Sequence, residues 1–299
     1  MTPVTGERSR WMPRLVSVII PVHNAEALLP LQLGALERQT YSGAWELVVA
    51  DNGSTDKSVD AAKAWIGKVP DMRIVDASTR PGVNCARNTG AQAARGDFLL
   101  YCDADDEASP QWLEAMAKAA PSFDLVGGRV DPAALNDPVT LAWRWPHPQD
   151  RLNTALGFLP YSEGCTFGIW TDVLRDLGGW DEGYDRGGDE IELCWRAQLS
   201  GYSIGYAIDG VMRYRHRKRL GAMTRQIYRY GMGDTRLYRD FRGRGVPPAG
   251  FRTHLREWKW LVSRASHLFK SRESRGEWIC TAAYWAGRAT GSIYYRAFR

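Results

Sequence analysis

The chain has 299 residues, of which 44% are hydrophobic and 24% are charged; this is ordinary for a globular enzyme and leaves room for one large domain or two smaller ones. Its 30 Gly and 15 Pro exclude collagen-like and low-complexity classes. No apolar run reaches the roughly 18–20 residues of a membrane-spanning helix, and the basic N-terminus lacks the apolar core of a secretory signal. We therefore expect a cytoplasmic protein.

The net charge of +5 is distributed unevenly along the chain. Residues 1–210 carry 18 basic and 29 acidic side chains, whereas residues 211–299 carry 21 basic and 5 acidic ones. An acidic body with a basic, aromatic-rich tail favours chemistry in the first part and contact with something anionic in the second. Solvation of surface helices by arginine would produce the same composition, so charge alone leaves both interpretations open.

Strand-then-helix units are predicted over the first hundred residues. Apolar, β-branched runs alternate in chain order with helical stretches, the strands at 16–20, 47–50, 72–75 and 98–102 and the main helices near 25–39, up to 65 and at 83–94. Such alternation predicts an α/β fold with a mainly parallel sheet covered by helices on both faces. The five cysteines have no CxxC spacing, which favours reduced thiols over disulfides or a zinc site.

Polar clusters follow three of these strands. His23-Asn24 follows the first, the run from Asp51 to Asp56 follows the second, and Asp103-Ala-Asp105-Asp106 follows the fourth. Because ligands bind at the carboxyl ends of strands in such sheets, we expect a binding site at this edge.

Asp103 and Asp105 form the sharpest local motif. Alternate carboxylates at a strand end present hard oxygens to Mg²⁺ or Mn²⁺, which in turn neutralise a diphosphate. Acids ahead of the helix start at Ser109-Pro110 would also suit a helix dipole, so the motif alone leaves both roles open.

Asp189 and Glu190 follow a double glycine at a predicted helix start. A carboxylate there serves as a general base if it reaches an acceptor hydroxyl. An acidic helix start that complements the dipole is the alternative.

Four segments together resemble family 2 glycosyltransferases in order and spacing over roughly residues 15–235: VSVIIPVHNA, LVVADNGSTDKS, CARNTGAQAARGDFLLYCDADD and GGWDEGYDRGGDEIELCWRAQLSGY. The resemblance implies a GT-A fold, in which a Rossmann-like, mainly parallel sheet is flanked by helices. It also implies inverting transfer from a UDP-, GDP- or dTDP-sugar with a divalent cation, Mg²⁺ or Mn²⁺. The acceptor would be a saccharide or a lipid-linked acceptor in cell-surface glycan synthesis.

By position, the resemblance assigns seven side chains to the donor nucleotide: Pro21, Val22, Asn24, Asp51, Asn52, Arg87 and Asp103. Asp51 and Asn52 would bind the base, and Arg87 would lie near the diphosphate. Asp105 would be the principal metal ligand, with Asp103 on the metal or the ribose.

The same resemblance implies the reacting groups. The family has a Glu-Asp pair whose Asp deprotonates the acceptor, whereas this chain has Asp189-Glu190 in the reverse order. The base would therefore be Glu190, with Asp189 as the alternative. Trp180 and Asp181 stand in the acceptor-facing segment and would contact the acceptor sugar. Gln226-Ile-Tyr-Arg-Tyr230 is similar to the QxxRW box of polysaccharide synthases, and we expect it to line the cleft.

Three regions are predicted: an N-terminal extension (1–14), a GT-A domain (15–240) and a basic, aromatic-rich helical region (241–299). Aromatic rings beside basic residues in the last region favour peripheral contact with the cytoplasmic face of a membrane. Packing on the body or on a second subunit, as in a homodimer, is the alternative.

Two other function classes share some of these sequence features. A nucleotidyltransferase also uses strand-end acids and a metal, but it would show a Gly-rich, basic loop where this chain has PVHNAEALLP. A nucleic-acid-binding protein would explain the Arg-aromatic tail but not the acidic cluster. We expect no nucleic-acid partner.

Overall fold

The computed structural model describes residues 10–248 and 251–298. Residues 1–9, most of the predicted N-terminal extension, lie outside the described residues, as do 249, 250 and 299. In the described ranges the strands are β1 (Val16–Val22), β2 (Trp45–Asp51), β3 (Met72–Asp76), β4 (Phe98–Tyr101), β5 (Glu107–Ala108), β6 (Leu125–Asp131), β7 (Asn153–Thr154), β8 (Pro160–Tyr161), β9 (Phe167–Trp170) and β10 (Ile204–Arg213).

The helices flank these strands in the first part of the chain and dominate the last part. They are α1 (Leu29–Glu37), α2 (Ser58–Lys63), α3 (Val83–Ala93), α4 (Trp112–Ala119), α5 (Pro138–Ala142), α6 (Thr171–Asp176), α7 (Asp189–Leu199), α8 (Leu220–Phe241), α9 (Phe251–Ser263), α10 (His267–Lys270) and α11 (Arg272–Tyr294).

Eight strands form one sheet in the order β3-β2-β1-β4-β9-β6-β10-β5. β1 pairs in parallel with β2 and with β4, and β6 pairs in parallel with β10. The predicted mainly parallel sheet is therefore confirmed. The exceptions are β9, which is antiparallel to both β4 and β6, and the short edge strand β5, antiparallel to β10. The insertion of β9 was not predicted, because it depends on pairing with β4 and β6, whose residues lie far from β9 in the chain.

The strands on which the site is built are buried on both faces. Val16, Val18, Ile19 and Ile20 are fully buried, as an apolar run in a helix-covered parallel sheet should be. The five cysteines are all free thiols and all buried.

The first helix begins later than predicted. The sequence pattern favoured a start near residue 25, but Asn24 adopts a left-handed backbone with φ 52° and α1 starts only at Leu29. A proline in its first turn fits this start, because the missing N–H has no intrahelical partner there. The residues between Val22 and Leu29 therefore form a loop that follows the carboxyl end of β1.

α11 packs along α8. A Cβ at Gly287 would lie 2.0 Å from the carbonyl oxygen of Tyr228, and one at Gly231 would lie 2.1 Å from that of Tyr284. Only glycine permits this approach of the two backbones. The last helix of the C-terminal region is thus packed against α8, while the predicted boundary of that region at residue 241 stays a prediction. No helix in the described ranges combines the length and apolar character that a bilayer crossing requires.

Candidate active site

A cavity of about 420 Å³ lies at the carboxyl ends of β1 and β2. Pro21, Val22 and Asn52, all predicted to bind the donor, are among the residues that line it. The structure thus brings these three together at the sheet edge where the sequence predicted a site, in a cavity within the usual size range of small-ligand sites.

Two asparagines hold the loops around this cavity. The Asn52 amide donates to the carbonyl oxygens of Ala77 (2.5 Å) and Arg80 (2.8 Å) and accepts from the Gly82 N–H (2.8 Å). Asn24 Oδ1 accepts from the Thr55 N–H at 2.8 Å. The amide groups of both residues are therefore used in shaping the loops, a role that their residue type alone does not reveal.

Asp51 ends β2 close by. Its carboxylate accepts from the Ser54 N–H at 3.3 Å, which closes a turn at the strand end. Its predicted contact with the base stays a prediction, as does the predicted contact of Asn24 with the donor nucleotide.

An acidic cluster follows β4. Asp103, Asp105 and Asp106 each offer a carboxylate oxygen within 4.8 Å of the others. Asp106 Oδ2 is buried without a hydrogen-bond partner among the described residues, while its Oδ1 accepts from the Arg215 N–H at 2.8 Å. Three hard oxygen donors, one of them an orphaned buried carboxylate oxygen, fit a divalent cation such as Mg²⁺ or Mn²⁺. Asp106 was not among the metal ligands predicted from the sequence, which were Asp105 and Asp103.

The electrostatics of the cluster support this fit. Burial, joined by the nearby carboxylates of Asp105 and Asp189, raises the pKa of Asp103 to about 6 against the opposing effect of Arg87. Burial also raises the pKa of Asp106 well above its ordinary value. Crowded, buried carboxyl groups are stabilised in their charged form by an added positive charge.

Basic side chains just after β10 meet this cluster. Arg217 Nη1 lies 3.1 Å from Asp105 Oδ2, and Arg215 donates to the Asp105 carbonyl oxygen at 3.0 Å. These arginines belong to the basic part of the chain that the charge count singled out. The distribution of charge along the sequence did not predict that these arginines would contact the acids at the strand end.

Arg87 connects the acidic cluster to the start of α7. Its guanidinium forms an ion pair with Asp189 and lies 3.7 Å from an oxygen of Asp103. It also donates to Asn84 at 3.1 Å and lies 4.4 Å above the Trp180 ring. The arginine predicted to lie near the diphosphate therefore stands beside the predicted metal ligands.

The structure gives Trp180 a packing position. Its side chain is buried, in edge-on contact with Tyr101 (5.2 Å) and Phe167 (5.3 Å). The Asp181 carboxylate accepts from the Gly183 N–H at 2.8 Å and lies 3.6 Å from Arg236. Neither residue lines the large cavity described next, so the structure does not place the two predicted acceptor residues beside Glu190.

A second cavity, of about 720 Å³, lies between the start of α7 and the helices α8 and α11. Its wall includes Glu190 together with several aromatic and charged side chains, among them Arg144, Trp145, His147, Tyr161, Glu163, Tyr214, Tyr230, Asp234, Tyr284, Trp285 and Arg288. Tyr230 ends the segment similar to the QxxRW box, so the expectation that this segment lines the cleft is confirmed for that residue.

The two adjacent acids at the start of α7 have different surroundings. Asp189 is engaged by Arg87, whereas Glu190 lines the cavity. Burial, with the nearby carboxylates of Asp189 and Glu163, raises the pKa of Glu190 well above its ordinary value. A buried carboxyl group with a raised pKa at the wall of a cavity is a general-base candidate.

Two glycines bring α7 against α8. Gly187 and Gly188 have φ 93° and 83°, a left-handed backbone that favours glycine. A Cβ at Gly187 would lie 2.8 Å from the Tyr230 ring, and one at Gly188 would lie 2.9 Å from Leu237. The double glycine thus allows the close contact that forms the cavity wall.

Comparison with known proteins gives concordant matches. Residues 17–177 match the sequence profile of the family described as Glycosyl transferase family 2. Glycosyltransferase AglE of Haloferax volcanii is 27% identical over 226 residues, which cover 75% of this chain and 74% of that protein. A PGL/p-HBAD biosynthesis glycosyltransferase of Mycobacterium bovis is 34% identical over 180 residues, covering 56% and 67%.

The fold has a solved counterpart. The structure of the mannosyltransferase PcManGT from Pyrobaculum calidifontis, in complex with GDP-Man and Mn²⁺, superposes with a TM-score of 0.66 at 19% identity. The match covers 94% of this chain and 87% of that one. The predicted glycosyltransferase class is confirmed. The chain belongs to glycosyltransferase family 2 and has the GT-A fold.

Proposed function

We propose that the chain transfers a sugar, with inversion and with a divalent cation, from a nucleoside-diphosphate donor to a hydroxyl group of a saccharide or lipid-linked acceptor. One observation carries the proposal: Arg87 joins Asp103 of the acidic cluster to Asp189, and Glu190, the next residue, lines the large cavity. A donor diphosphate at the cluster and an acceptor in the cavity would therefore be neighbours.

The donor side consists of the acidic cluster and the smaller cavity. Asp103, Asp105 and Asp106 would hold the cation, and the cation when bound would neutralise charge that builds up on the departing diphosphate. Arg87, held in place by Asp189, adds a fixed positive charge beside it. The cavity at Pro21 and Val22 would take the nucleobase.

The acceptor side relies on Glu190. Its carboxylate would remove the proton of the acceptor hydroxyl as the oxygen attacks the anomeric carbon from the face opposite the leaving group. A single displacement of this kind inverts the anomeric centre and needs one carboxylate base, in contrast to the two carboxyl groups of hydrolytic glycosidases. Asp189 is already committed to Arg87, which favours Glu190 for this role.

The proposal is tested by incubating the protein with a panel of UDP-, GDP- and dTDP-sugars and Mn²⁺ and measuring nucleoside diphosphate release. We expect release with at least one donor and its loss in excess chelator. Failure to bind any nucleotide by calorimetry, together with no release from the whole panel, would contradict the proposed function.

A lipid-linked acceptor in cell-envelope glycan synthesis would require contact with a membrane face, and α9 and α10 offer a surface for it. Leu255, Trp258 and Val262 recur at helical spacing on α9 and are 58%, 66% and 72% exposed, and Phe269 on α10 is 85% exposed. Exposed basic residues, Lys259 and Lys270 among them, lie beside these side chains in the sequence. Aromatic and cationic groups together suit an anionic bilayer surface.

A further inference from the structure

Two arginines line the large cavity but have no part in the proposed proton transfer to Glu190. Arg144, after α5, and Arg288, on α11, both line the cavity that contains Glu190. Arg288 is only 8% exposed. Within the part of the chain that the structure describes, neither guanidinium forms an ion pair with a carboxylate.

Other arginines with little exposure in this protein do have such partners. Arg87 pairs with Asp189, and Arg196 lies 2.7 Å from Glu192. Arg73, somewhat more exposed, lies 2.8 Å from the buried Glu46. A buried charge without a counter-charge is costly, and proteins normally pair it. Arg288 departs from this rule, and Arg144 is acted on by the charge of Glu163 without forming an ion pair with it. Both guanidinium groups line a cavity in which a ligand would supply the opposite charge.

Aromatic rings hold both guanidinium groups in the cavity wall. Arg144 lies between Tyr214 and Tyr230, 5.5 and 5.4 Å from their ring centres, and donates to the Tyr214 hydroxyl at 3.3 Å. Arg288 lies 4.7 Å from the centre of the Trp285 ring. Stacking orients a guanidinium plane but leaves its positive charge and most of its five N–H donors for another partner.

None of the described acids of the cavity forms an ion pair with either guanidinium, although the charge of Glu163 acts on Arg144 from a longer distance. Glu163 accepts from Asn153 at 3.2 Å and lies 3.3 Å from His147 Nδ1. Asp234 accepts from the Tyr284 hydroxyl. These carboxylates are held by other neighbours, and Glu190 is needed for the transfer itself.

An aromatic wall stands next to the arginines. Trp145 and Tyr284 are in edge-on contact with ring centres 5.1 Å apart, and Tyr284 makes the same contact with Trp285 at 5.1 Å. Half-exposed rings of this kind present apolar surface to the C–H face of a pyranose.

We propose that the large cavity binds an acidic saccharide, whose oxyanion, a phosphate or a carboxylate, is bound by Arg144 and Arg288 while its ring packs against Trp145, Tyr284 and Trp285. That this ligand is the acceptor rests on the proposed function. The inference adds that the acceptor carries a negative charge close to the reacting hydroxyl. Bidentate N–H donation makes arginine well suited to both oxyanions.

Binding is measured by calorimetry on the full chain in EDTA and without donor, so that no phosphate is held through a metal at the acidic cluster. The probes are α-D-glucose 1-phosphate, D-glucuronate and methyl α-D-glucoside. We expect at least one charged probe to bind about tenfold or more tightly than the neutral glucoside. The neutral glucoside has no oxyanion and so cannot accept charge-assisted hydrogen bonds from the two arginines. The stronger of the two charged probes identifies the oxyanion. Equal affinity for all three probes would overturn the proposal.

Substitutions locate the bound charge. Arg144→Gln and Arg288→Gln should each weaken the charged probe about tenfold or more, and Arg288→Lys should retain part of the affinity. Arg225→Gln, an exposed arginine of α8 outside the cavity wall, is the matched control and should bind as the wild type does. Undiminished binding by both glutamine variants would contradict the proposal, and Arg288→Lys keeps the test valid if either glutamine variant fails to fold.

The donor site needs its own control. Asp105→Ala should leave probe binding unchanged, and loss of binding in that variant would place the oxyanion at the acidic cluster and refute the assignment to the cavity. Nucleoside diphosphate release with no preference for a charged probe would contradict this inference alone. Charge-dependent probe binding without release from any donor would contradict the proposed function alone.

Discussion

The Arg87 guanidinium pairs with the Asp189 carboxylate, and both side chains are almost completely buried, 5% and 10% exposed. An oxygen of Asp103 lies 3.7 Å from the same guanidinium. This arrangement separates the roles of two adjacent acids, because Asp189 is part of a buried ion pair while Glu190 lines the large cavity.

Asp189→Asn should therefore act mainly on stability. Removing one partner of a buried pair leaves an uncompensated charge and typically costs 3–5 kcal/mol; with Asp103 still close to Arg87, we expect a loss of about 3 kcal/mol in the free energy of unfolding. Urea denaturation measures it. Asp185→Asn, at a side chain 62% exposed, is the control and should change little. Wild-type stability in Asp189→Asn would show that the pair does not form in solution.

Glu190→Gln should act on the chemistry. The variant keeps the size and polarity of the side chain but cannot accept a proton, so donor affinity should persist while the transfer rate falls by about 10²–10⁴. Calorimetry for donor binding and nucleoside diphosphate release for turnover separate the two effects. If Glu190→Gln turns over normally while folded Asp189→Asn binds donor and is inactive, the base is Asp189.

The raised pKa of Glu190 predicts the pH dependence of transfer. The base works only as a carboxylate, so activity should fall as the pH drops through a pKa above the ordinary value near 4.5. Asp189 and Glu163 are the acids that raise it, besides burial. Glu163→Gln removes one of these charges and should move the acidic limb of kcat/KM to lower pH. A limb that stays in place or moves to higher pH would show that Glu163 does not act on the base.

Asp105→Ala should abolish cation-dependent donor binding, because a hard oxygen ligand disappears from the cluster. Donor titrations with and without Mn²⁺ measure the difference between the two affinities. Asp150→Ala, which removes an acid 73% exposed and remote in sequence from the cluster, should behave as the wild type. Full turnover of Asp105→Ala in excess chelator would refute the metal assignment.

Trp258→Glu combined with Phe269→Glu should weaken sedimentation with anionic liposomes, because it removes apolar area and adds negative charge to the proposed membrane surface. Wild-type binding should also fall as salt rises. Trp11→Glu is a matched control, since Trp11 is 85% exposed at the other end of the described chain.

Deletion of the tail is a poorer test, because α11 packs on α8 and lines the large cavity. A wild-type protein that stays in the supernatant at low salt, with a dimer in light scattering, would assign the surface to a second copy.

The sequence by itself determined the parts of the protein that depend on short-range patterns. Apolar β-branched runs such as Val16–Val22 gave the parallel core strands within a few residues of their observed ends, because burial on both faces leaves a continuous apolar signal. Turn-forming and acidic residues after those strands located the donor edge, since parallel strands bring their carboxyl ends together. The late start of α1 was missed because the left-handed backbone at Asn24 depends on hydrogen bonds to residues some thirty positions away.

Only the tertiary structure decided how the acceptor side is built. The large cavity joins side chains from Arg144, Glu190 and Arg288, which no local pattern relates. Which acid of the Asp189-Glu190 pair forms the ion pair and which lines the cavity depends on the position of Arg87, 102 residues before Asp189 in the chain. Ion pairing and burial depend on distances in space, which here result from the packing of α7, α8 and α11. Glycines allow these helices to approach closely, and the residues that they contact cannot be predicted from local sequence patterns.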